Sequence, residues 1–210
     1  MIQDQRLVWN KKHTLGDHEK YRNDVNLFAK MVLPELKKGS SLLDLGCGIG
    51  KDDNYFASNG VTITATDFSD VVIADDIAKY QLPNLAFVVS DLSEPLPHSA
   101  NSFNAVYAHL SLHYFSDDKT REIFAEIARV LKPSGRLFFA CKSIHDHLYG
   151  EGEEVAQDTF VRKGHIRHFF SLDYCKDLLA KDYVVDRLEE ISQDYDGDPS
   201  TFIYCFATKK

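Results

Sequence analysis

The stretch Ser40–Phe56, SSLLDLGCGIGKDDNYF, decides how the chain is read. A short apolar run, Ser41 to Leu45, has the length and content of a buried strand. Gly46, Gly48 and Gly50 follow at once, where the chain must turn tightly and let a ligand touch bare backbone. A helix then opens, offering free N–H groups and the positive end of its dipole. Strand, glycine turn and helix start in this order are the layout of a nucleotide-like binding site.

Outward from this stretch the elements alternate. Tyr21, Val25, Phe28 and Val32 lie at helical spacing before it, within a predicted helix from Tyr21 to Leu36 that Pro34 bends or restarts. The helix after the glycines runs to about Asn59, and Gly60 ends it before the β-branched run Val61 to Thr66. Leu85 to Val89 and Phe103 to Ala108 read as the third and fourth strands, separated by the turn-rich stretch Asp91 to Ser102. Ile123, Ile127, Val130 and Leu131 share one face of a helix from Asp117, and Lys132-Pro133-Ser134-Gly135 stops it before a fifth strand, Arg136 to Cys141. Strands separated by helices imply a parallel sheet covered on both faces, with ligands beyond its carboxyl ends. After a helix near Ser171 to Ala180, the runs Tyr183 to Ile191 and Thr201 to Thr208 are joined only by a short turn-rich link, which predicts an antiparallel hairpin at the sheet edge.

With 210 residues, 44% hydrophobic and 27% charged, the chain is expected to form one soluble domain. No apolar run approaches the roughly 20 residues that span a bilayer, and the N-terminus has no apolar signal core, so no membrane contact and a cytoplasmic location are expected. The net charge of −8 argues against nucleic acid as a partner. Cys47, Cys141, Cys175 and Cys205 are scattered and form no CxxC pair, so they read as reduced packing residues rather than metal ligands or disulfides.

The glycines do not make a dinucleotide fingerprint. The third arrives one residue early, and Lys51 stands where it belongs. Asp52 and Asp53 place two carboxylates at the helix start, where a pyrophosphate would be repelled. A phosphate-free ligand fits better. Asp67 closes the second strand, at the place where doubly wound sheets put an acid on ribose hydroxyls, and Asp91 follows the third strand in Val88-Val89-Ser90-Asp91-Leu92.

On Leu42-Leu43-Asp44-Leu45-Gly46-Cys47-Gly48-Ile49-Gly50, Thr66-Asp67-Phe68-Ser69, Ser90-Asp91-Leu92, Phe103-Asn104-Ala105-Val106-Tyr107 and Leu131-Lys132-Pro133-Ser134-Gly135, the chain resembles the class I S-adenosylmethionine-dependent methyltransferases from about Leu36 onward. The resemblance implies an α/β, three-layer αβα Rossmann-like fold with a seven-stranded mixed sheet in the order 3-2-1-4-5-7-6, strand seven antiparallel. It implies S-adenosylmethionine as cofactor and S-adenosylhomocysteine as product. Gly46 and Gly48 would approach the methionine part and Asp67 the ribose diol. Asp91 would meet the adenine amino group, with Leu92 beside the ring. Asp44 would order the loop or meet the ammonium, and Cys47, Gly50, Phe68, Ser90 and Ala108 complete the expected cofactor contacts. Asn104 stands where the family often has Asp. Gly50-Lys51-Asp52 and the later His165-Ile166-Arg167-His168-Phe169-Phe170-Ser171 are similar to the tellurite-resistance and thiopurine-type enzymes, which act on small molecules.

The acceptor side is read from what remains. His109 and His113 lie just past the fourth strand, where such a fold opens toward the transferred methyl group. Their H-x-x-x-H spacing lacks a third ligand for zinc, and no metal is expected. His145 and His165, with those two, are the candidate bases should the acceptor need to lose a proton. Residues 143–170 are long for a connection and read as a substrate-side loop, in which Tyr149, Arg162 and Arg167 are candidates for holding an anionic acceptor. Residues 1–38 read as a helical cap whose Trp9 and Tyr21 would close over the ligand. The expected protein is a monomer or homodimer. A cofactor-binding sensor without turnover, or an NAD-dependent oxidoreductase on a related sheet, are the competing readings.

Overall fold

A computed structural model describes residues 5–14, 25–195 and 197–210. Its centre is a seven-stranded sheet in the order β3-β2-β1-β4-β5-β10-β9. These strands are β1 (Ser41–Leu45), β2 (Thr62–Asp67), β3 (Leu85–Val89), β4 (Phe103–His109), β5 (Leu131–Lys142), β9 (Tyr183–Tyr195) and β10 (Asp198–Lys209). β1 to β5 run parallel, while β10 is antiparallel to both β5 and β9. Numbered along the sheet alone, this is 3-2-1-4-5-7-6 with the seventh strand reversed, as the resemblance implied. The terminal hairpin is also where the turn-rich link placed it.

Alternation along the strands explains the two cores. Leu43, Leu45, Val106, Leu137, Phe139, Cys141, Ile203 and Cys205 face one side. There they meet Ile123, Phe124 and Ile127 of α5 (Asp117–Val130) and Cys175, Leu178 and Leu179 of α6 (Leu172–Leu179). Leu42, Ile63, Ala65, Tyr107, Phe138, Phe202 and Tyr204 face the other, against Phe28 and Val32 of α2 (Leu27–Val32) and Phe56 and Ala57 of α3 (Lys51–Ser58). A period of two along each strand puts neighbours on opposite faces, so the central strands β1, β4, β5 and β10 serve both layers. Burying each large apolar side chain contributes ~1.5–3 kcal/mol. α4 (Asp70–Lys79) packs on β2 and β3. Cys141, Cys175 and Cys205 are free and buried within the first core, and Cys47 is free and half-buried.

Side-chain caps set the helix starts. Asn26, Ser69, Ser116 and Ser171 each accept a backbone N–H three residues on, as N-cap residues do. α3 has no such cap, because Gly50 with φ +63° occupies that position. The helix predicted from Tyr21 begins within the described residues only at Leu27, and Pro34 turns its end into a 3₁₀ turn, Leu33–Glu35. Tyr21 itself lies outside the described residues. Strand bonding in β5 starts earlier than predicted, at Leu131 opposite Phe103, with a register shift before Ala105 and Ser134 at φ 59°.

The segment read as a loop from 143 to 170 holds a second, three-stranded antiparallel sheet of β6 (Glu153–Ala156), β7 (Thr159–Arg162) and β8 (His165–His168). Arg162 pairs with His165 across a two-residue turn, and both turn residues have positive φ, Lys163 at 50° and Gly164 at 82°. That is the geometry a tight hairpin demands, and the Lys163-Gly164 pair was its signal in the sequence.

Candidate functional site

The glycine turn is hooked onto the neighbouring strand, since Gly46 N–H and Cys47 N–H both donate to Thr66 O, at 2.8 and 2.9 Å. The three glycines then do different work. A Cβ at Gly46 would stand 2.5 Å from Ser111 Cβ, and one at Gly50 would stand 2.9 Å from the Phe87 ring. Both are packing glycines. A Cβ at Gly48 would meet nothing within 4 Å, so this backbone faces open space. Asp67 locks the turn from β2, accepting from Gly48 N–H at 3.1 Å on Oδ2 and from Ser69 N–H at 2.9 Å on Oδ1.

Beyond the carboxyl ends of β3, β2, β1 and β4 lies a cavity of about 760 Å³. It forms at the reversal of strand order between β1 and β4, the switch point where open α/β sheets bind ligands. Neighbouring strands lie ~4.8 Å apart, so Asp91 after β3, Asp67, the Gly46–Gly48 turn and His109 form a row of strand ends on the order of 14 Å long. Asp44, Gly46, Cys47, Gly48, Asp67, Phe68, Ser90, Asp91 and Leu92 all line the cavity. Gly50 and Ala108, expected beside them, are absent from the lining: Gly50 backs onto Phe87 and Ala108 is fully buried in the core.

Asp44 and Asp52 make the floor acidic, with Asp53 and Asp76 buried behind the lining. Burial, followed by the charges of Asp53 and Asp52, holds Asp44 well above the usual carboxylate range. Burial pushes Asp53 up to about 8 and Asp76 up to about 8. Among the described residues no ordinary donor reaches either Asp53 oxygen, Asp44 Oδ1 or Asp52 Oδ1, and the Asp44 and Asp53 carboxyls are close enough to share a proton. In the sequence Asp52 and Asp53 read as helix-start charges; the fold turns them inward, 8% and 0% exposed. The sign of the linkage follows. A carboxyl raised from 3.8 to about 8 keeps its proton in the fold where the unfolded chain loses it, so its stability contribution is full below 3.8 and is lost as pH rises toward 8. The isosteric Asp53→Asn variant is therefore expected to gain on the parent steadily in thermal melts from pH 5 to pH 9. Parallel melting curves across that range would show that Asp53 ionises freely.

At the β4 end the polar groups form a network. Tyr107 OH donates to Asp52 Oδ2 at 3.0 Å, and Asn26 Nδ2 donates to the same oxygen. Asn26 Nδ2 also lies 3.4 Å from His109 Nδ1. Burial lowers His109 to about 3, so its ring is held neutral at physiological pH. Asn26, Asp52 and Tyr107 were not singled out by sequence. Only the fold brings residues so far apart in the chain together.

α1 (Gln5–Thr14) lies across the mouth of the cavity, with Gln5, Arg6 and Trp9 in its lining. On one side Arg6 pairs with Asp91 at 3.6 Å and Asn10 donates to Asp70 at 3.3 Å. On the other, Gln5 donates to Gly164 O at 2.8 Å, and Trp9 packs edge-on against Tyr114 and His165 at 5.3 and 5.6 Å. His165 thus reaches the site through Trp9 and Gln5 without lining the cavity.

The remaining candidates lie elsewhere. His113 is 1% exposed and burial drives it well below its ordinary value. His145 is held on Glu190 at 2.9 Å, outside the lining. Arg162 pairs with Glu151 at 2.8 Å, and Tyr149 OH donates to Asp158 at 2.7 Å, both outside the cavity. Arg167 lies over the Tyr114 ring at 5.7 Å, supporting that wall from behind. Among the described residues no group of three His, Cys, Asp or Glu side chains is placed to hold a metal, and no helix is long and apolar enough to cross a membrane.

Comparison with known proteins points the same way. Residues 43–139 match the family model described as "Methyltransferase domain". A demethylmenaquinone methyltransferase of Paenarthrobacter aurescens is 33% identical over 106 residues, 50% of this chain and 40% of the relative. The curated relatives are covered over 26% to 63% of their own lengths. A SAM-dependent methyltransferase of Methanosarcina mazei superposes with a TM-score of 0.77 at 22% identity, covering 89% of this chain and 98% of the other. The 1,6-didemethyltoxoflavin-N1-methyltransferase of Burkholderia thailandensis, solved with bound 1,6-didemethyltoxoflavin and S-adenosylhomocysteine, gives 0.77 at 19% identity, over 98% and 87%. With the acid-bearing strand ends, the glycine turn and the reversed seventh strand, these matches make residues 43–139 similar to a methyltransferase domain and give the chain the fold of solved S-adenosylmethionine-dependent methyltransferases.

Proposed function

We propose that the protein transfers a methyl group from S-adenosylmethionine to a small-molecule acceptor, yielding S-adenosylhomocysteine. The observation that carries this reading is the row of strand ends: Asp91, Asp67, the open backbone of Gly48 and the acidic floor line one cavity in the order that an adenine, a ribose and a cationic amino-acid tail require. The residues fit that cofactor. Among the described residues Asp44 and Asp52 each hold a buried carboxyl oxygen that no ordinary donor reaches, suited to a site for a ligand that carries ammonium and sulfonium charge.

When bound, S-adenosylmethionine supplies a methyl group already activated on a sulfonium. The chain itself has to position, enclose and keep dry. Asp67 holds the glycine turn in shape while keeping lone pairs for the ribose. Trp9, Tyr114 and Phe115 wall the acceptor side with apolar rings, and α1 acts as the lid that excludes water. The Arg162 and Arg167 cluster lies outside the lining, so the acceptor is held by the cavity wall and not by those guanidinium groups.

Asp67→Ala removes both the turn's anchor and the ribose partner. S-adenosylhomocysteine affinity, read by calorimetry, is expected to fall at least a hundredfold, since hydrogen bonds to a charged group contribute ~1.5–3 kcal/mol each. Parent protein is expected to release S-adenosylhomocysteine from one class of a panel of phenols, thiols, amines and carboxylated heterocycles. Binding of S-adenosylhomocysteine without turnover on any class would favour the sensor reading; stabilisation by NAD in its place would favour the oxidoreductase.

A further inference from the structure

We propose that Asp53 is a positioning residue of the cofactor site that acts through Asp44: in the free protein the two carboxyls share a proton, and they give it up when a ligand carrying an ammonium group seats over Asp44. This rests on the methyltransferase reading and adds how that same site takes up charge.

The acids around the glycine turn differ in what holds them. Asp67 accepts two backbone N–H groups, from Gly48 and Ser69. Asp52 accepts Tyr107 OH at 3.0 Å and the Asn26 amide on the same oxygen. Asp53 is fully buried, and among the described residues no ordinary donor reaches either of its oxygens. Asp44 is 2% exposed, with Oδ1 in the same state. A buried carboxylate without donors is costly, and two carboxyls within hydrogen-bond reach of each other cannot both ionise. A proton held between them removes both costs. Asp44 near the end of β1 and Asp53 in the first turn of α3 are close enough to hold one.

The surroundings favour that proton. Asp52 in α3, Asp67 at the end of β2 and Asp76 in α4 all act on the pair as like charges, and Asp76 Oδ2 lies under the turn, 3.0 Å from where a Cβ on Gly50 would stand. From the turn itself and from β4 the pair meets Cys47 and Tyr107, both kept neutral by burial. The cations are one step removed: Lys51 acts on Asp52, and Lys79, set against Asp75, acts on Asp76. Asp44 lines the cavity beside Asp52 and the open backbone of Gly48, whereas Asp53 stands behind the lining. A cation in that space meets Asp44 first, and an opposite charge within ~4–6 Å lowers a carboxyl pKa by ~1–3. The proton then leaves through Asp44 to solvent, the pair becomes an anion that holds the ammonium in place, and no other bond changes. A neutral ligand leaves the proton where it is.

Two readouts test the assignment on the full chain. In the free protein, carboxyl ¹³C NMR is expected to show Asp44 and Asp53 titrating together above about pH 6, far from the ordinary carboxylate range. Calorimetry of S-adenosylhomocysteine between pH 6 and pH 7, in phosphate and in imidazole, whose ionisation heats differ, is expected to count about half to one proton released per ligand, with affinity rising about three- to tenfold over that interval. 5′-Methylthioadenosine, which lacks the amino-acid tail, is expected to bind without proton release. In Asp53→Asn the amide donates to Asp44 and leaves that carboxylate ionised, so S-adenosylhomocysteine affinity is expected to stay within about twofold over the same interval. Should that variant fail to fold, the contrast between the two ligands on the parent protein decides. The proposal is overturned by S-adenosylhomocysteine binding without proton release, by equal release with 5′-methylthioadenosine, by an unchanged pH dependence in Asp53→Asn, or by separate titration of the two carboxyls in the ordinary range. Failure of S-adenosylhomocysteine to bind the parent protein is a different result: it sinks the methyltransferase reading and the ligand-driven release with it, and the ¹³C titration still decides whether the pair shares a proton.

Discussion

Asp146→Ala is expected to lower the unfolding free energy by ~3–5 kcal/mol, the cost of leaving one member of a buried ion pair alone. Lys142 Nζ at the end of β5 donates to Asp146 Oδ2 at 2.7 Å and to Ser200 Oγ at 2.9 Å, and Thr201 N–H donates to the same carboxyl oxygen at 2.9 Å. The two side chains are 9% and 0% exposed, and the Phe202 ring lies 4.6 Å from the ammonium. Without the carboxylate, a lysine remains in an apolar site where burial already lowers its proton affinity, and Thr201 loses an acceptor. For a chain of this size the melting temperature falls by roughly 2–4 °C per kcal/mol, so a drop of roughly 6–20 °C is expected. Lys142→Met combined with Asp146→Ala removes the orphaned charge and is expected to recover part of the loss. A loss below ~1 kcal/mol for the single variant, the value of an exposed pair, would show that water reaches the site.

That pair also fixes where the segment 143–170 begins. Residue 143 onward leaves the sheet at the point where Asp146 is tied to β10, and the segment returns through the isolated bridge between Ser143 and Phe170. The β7–β8 turn then reaches α1 through Gly164 and His165. Rigidity at the base of this segment is what lets a short hairpin turn meet the cap helix at a defined place.

The parts of the molecule that could be read in the sequence are those whose signals are local. A β-branched run such as Thr62–Thr66, a glycine turn after an apolar strand, and acids closing successive strands each declare themselves within a few residues. The network of Asn26, Asp52, Tyr107 and His109 declares nothing locally. Asn26 looks like any helix cap, Asp52 like a solvated helix-start acid, Tyr107 like a core aromatic and His109 like a candidate base. Their meaning comes from contacts across 26 to 83 residues of chain, which no local pattern encodes. The same holds for the base candidates. His109 and His113 sit where the sequence placed them, at and just past the end of β4, and burial favours the neutral ring at both. The basic cluster shows the converse: Arg162 pairs with Glu151 within the second sheet, a partnership set by strand pairing that spacing along the chain does not reveal.

Gly46→Ala is expected to damage both the fold and cofactor binding, through two separable effects. The first is conformational: Gly46 has φ +85°, and a Cβ in the left-handed region costs ~1–2 kcal/mol. The second is steric. Ser111 Cβ would stand 2.5 Å from the new methyl group, and Ser111 cannot simply turn aside, because its hydroxyl donates to Leu45 O at the very end of β1. Overpacking of this kind costs a further ~1–3 kcal/mol. Relief requires the turn to lift away from Ser111, which would also strain the bonds from Gly46 and Cys47 to Thr66 O and shift the Gly48 backbone that faces the cavity. A melting temperature lower by roughly 4–20 °C and at least tenfold weaker S-adenosylhomocysteine binding are expected. Adding Ser111→Gly separates the terms, because it deletes the clash and leaves the dihedral cost. The double variant is expected to regain most of the ligand affinity and only part of the stability. If it regains neither, the turn depends on the Ser111 hydroxyl bond to Leu45 more than on the space beside Gly46, and the close approach of β1 to the chain after β4 is held by that bond and not by the missing side chain.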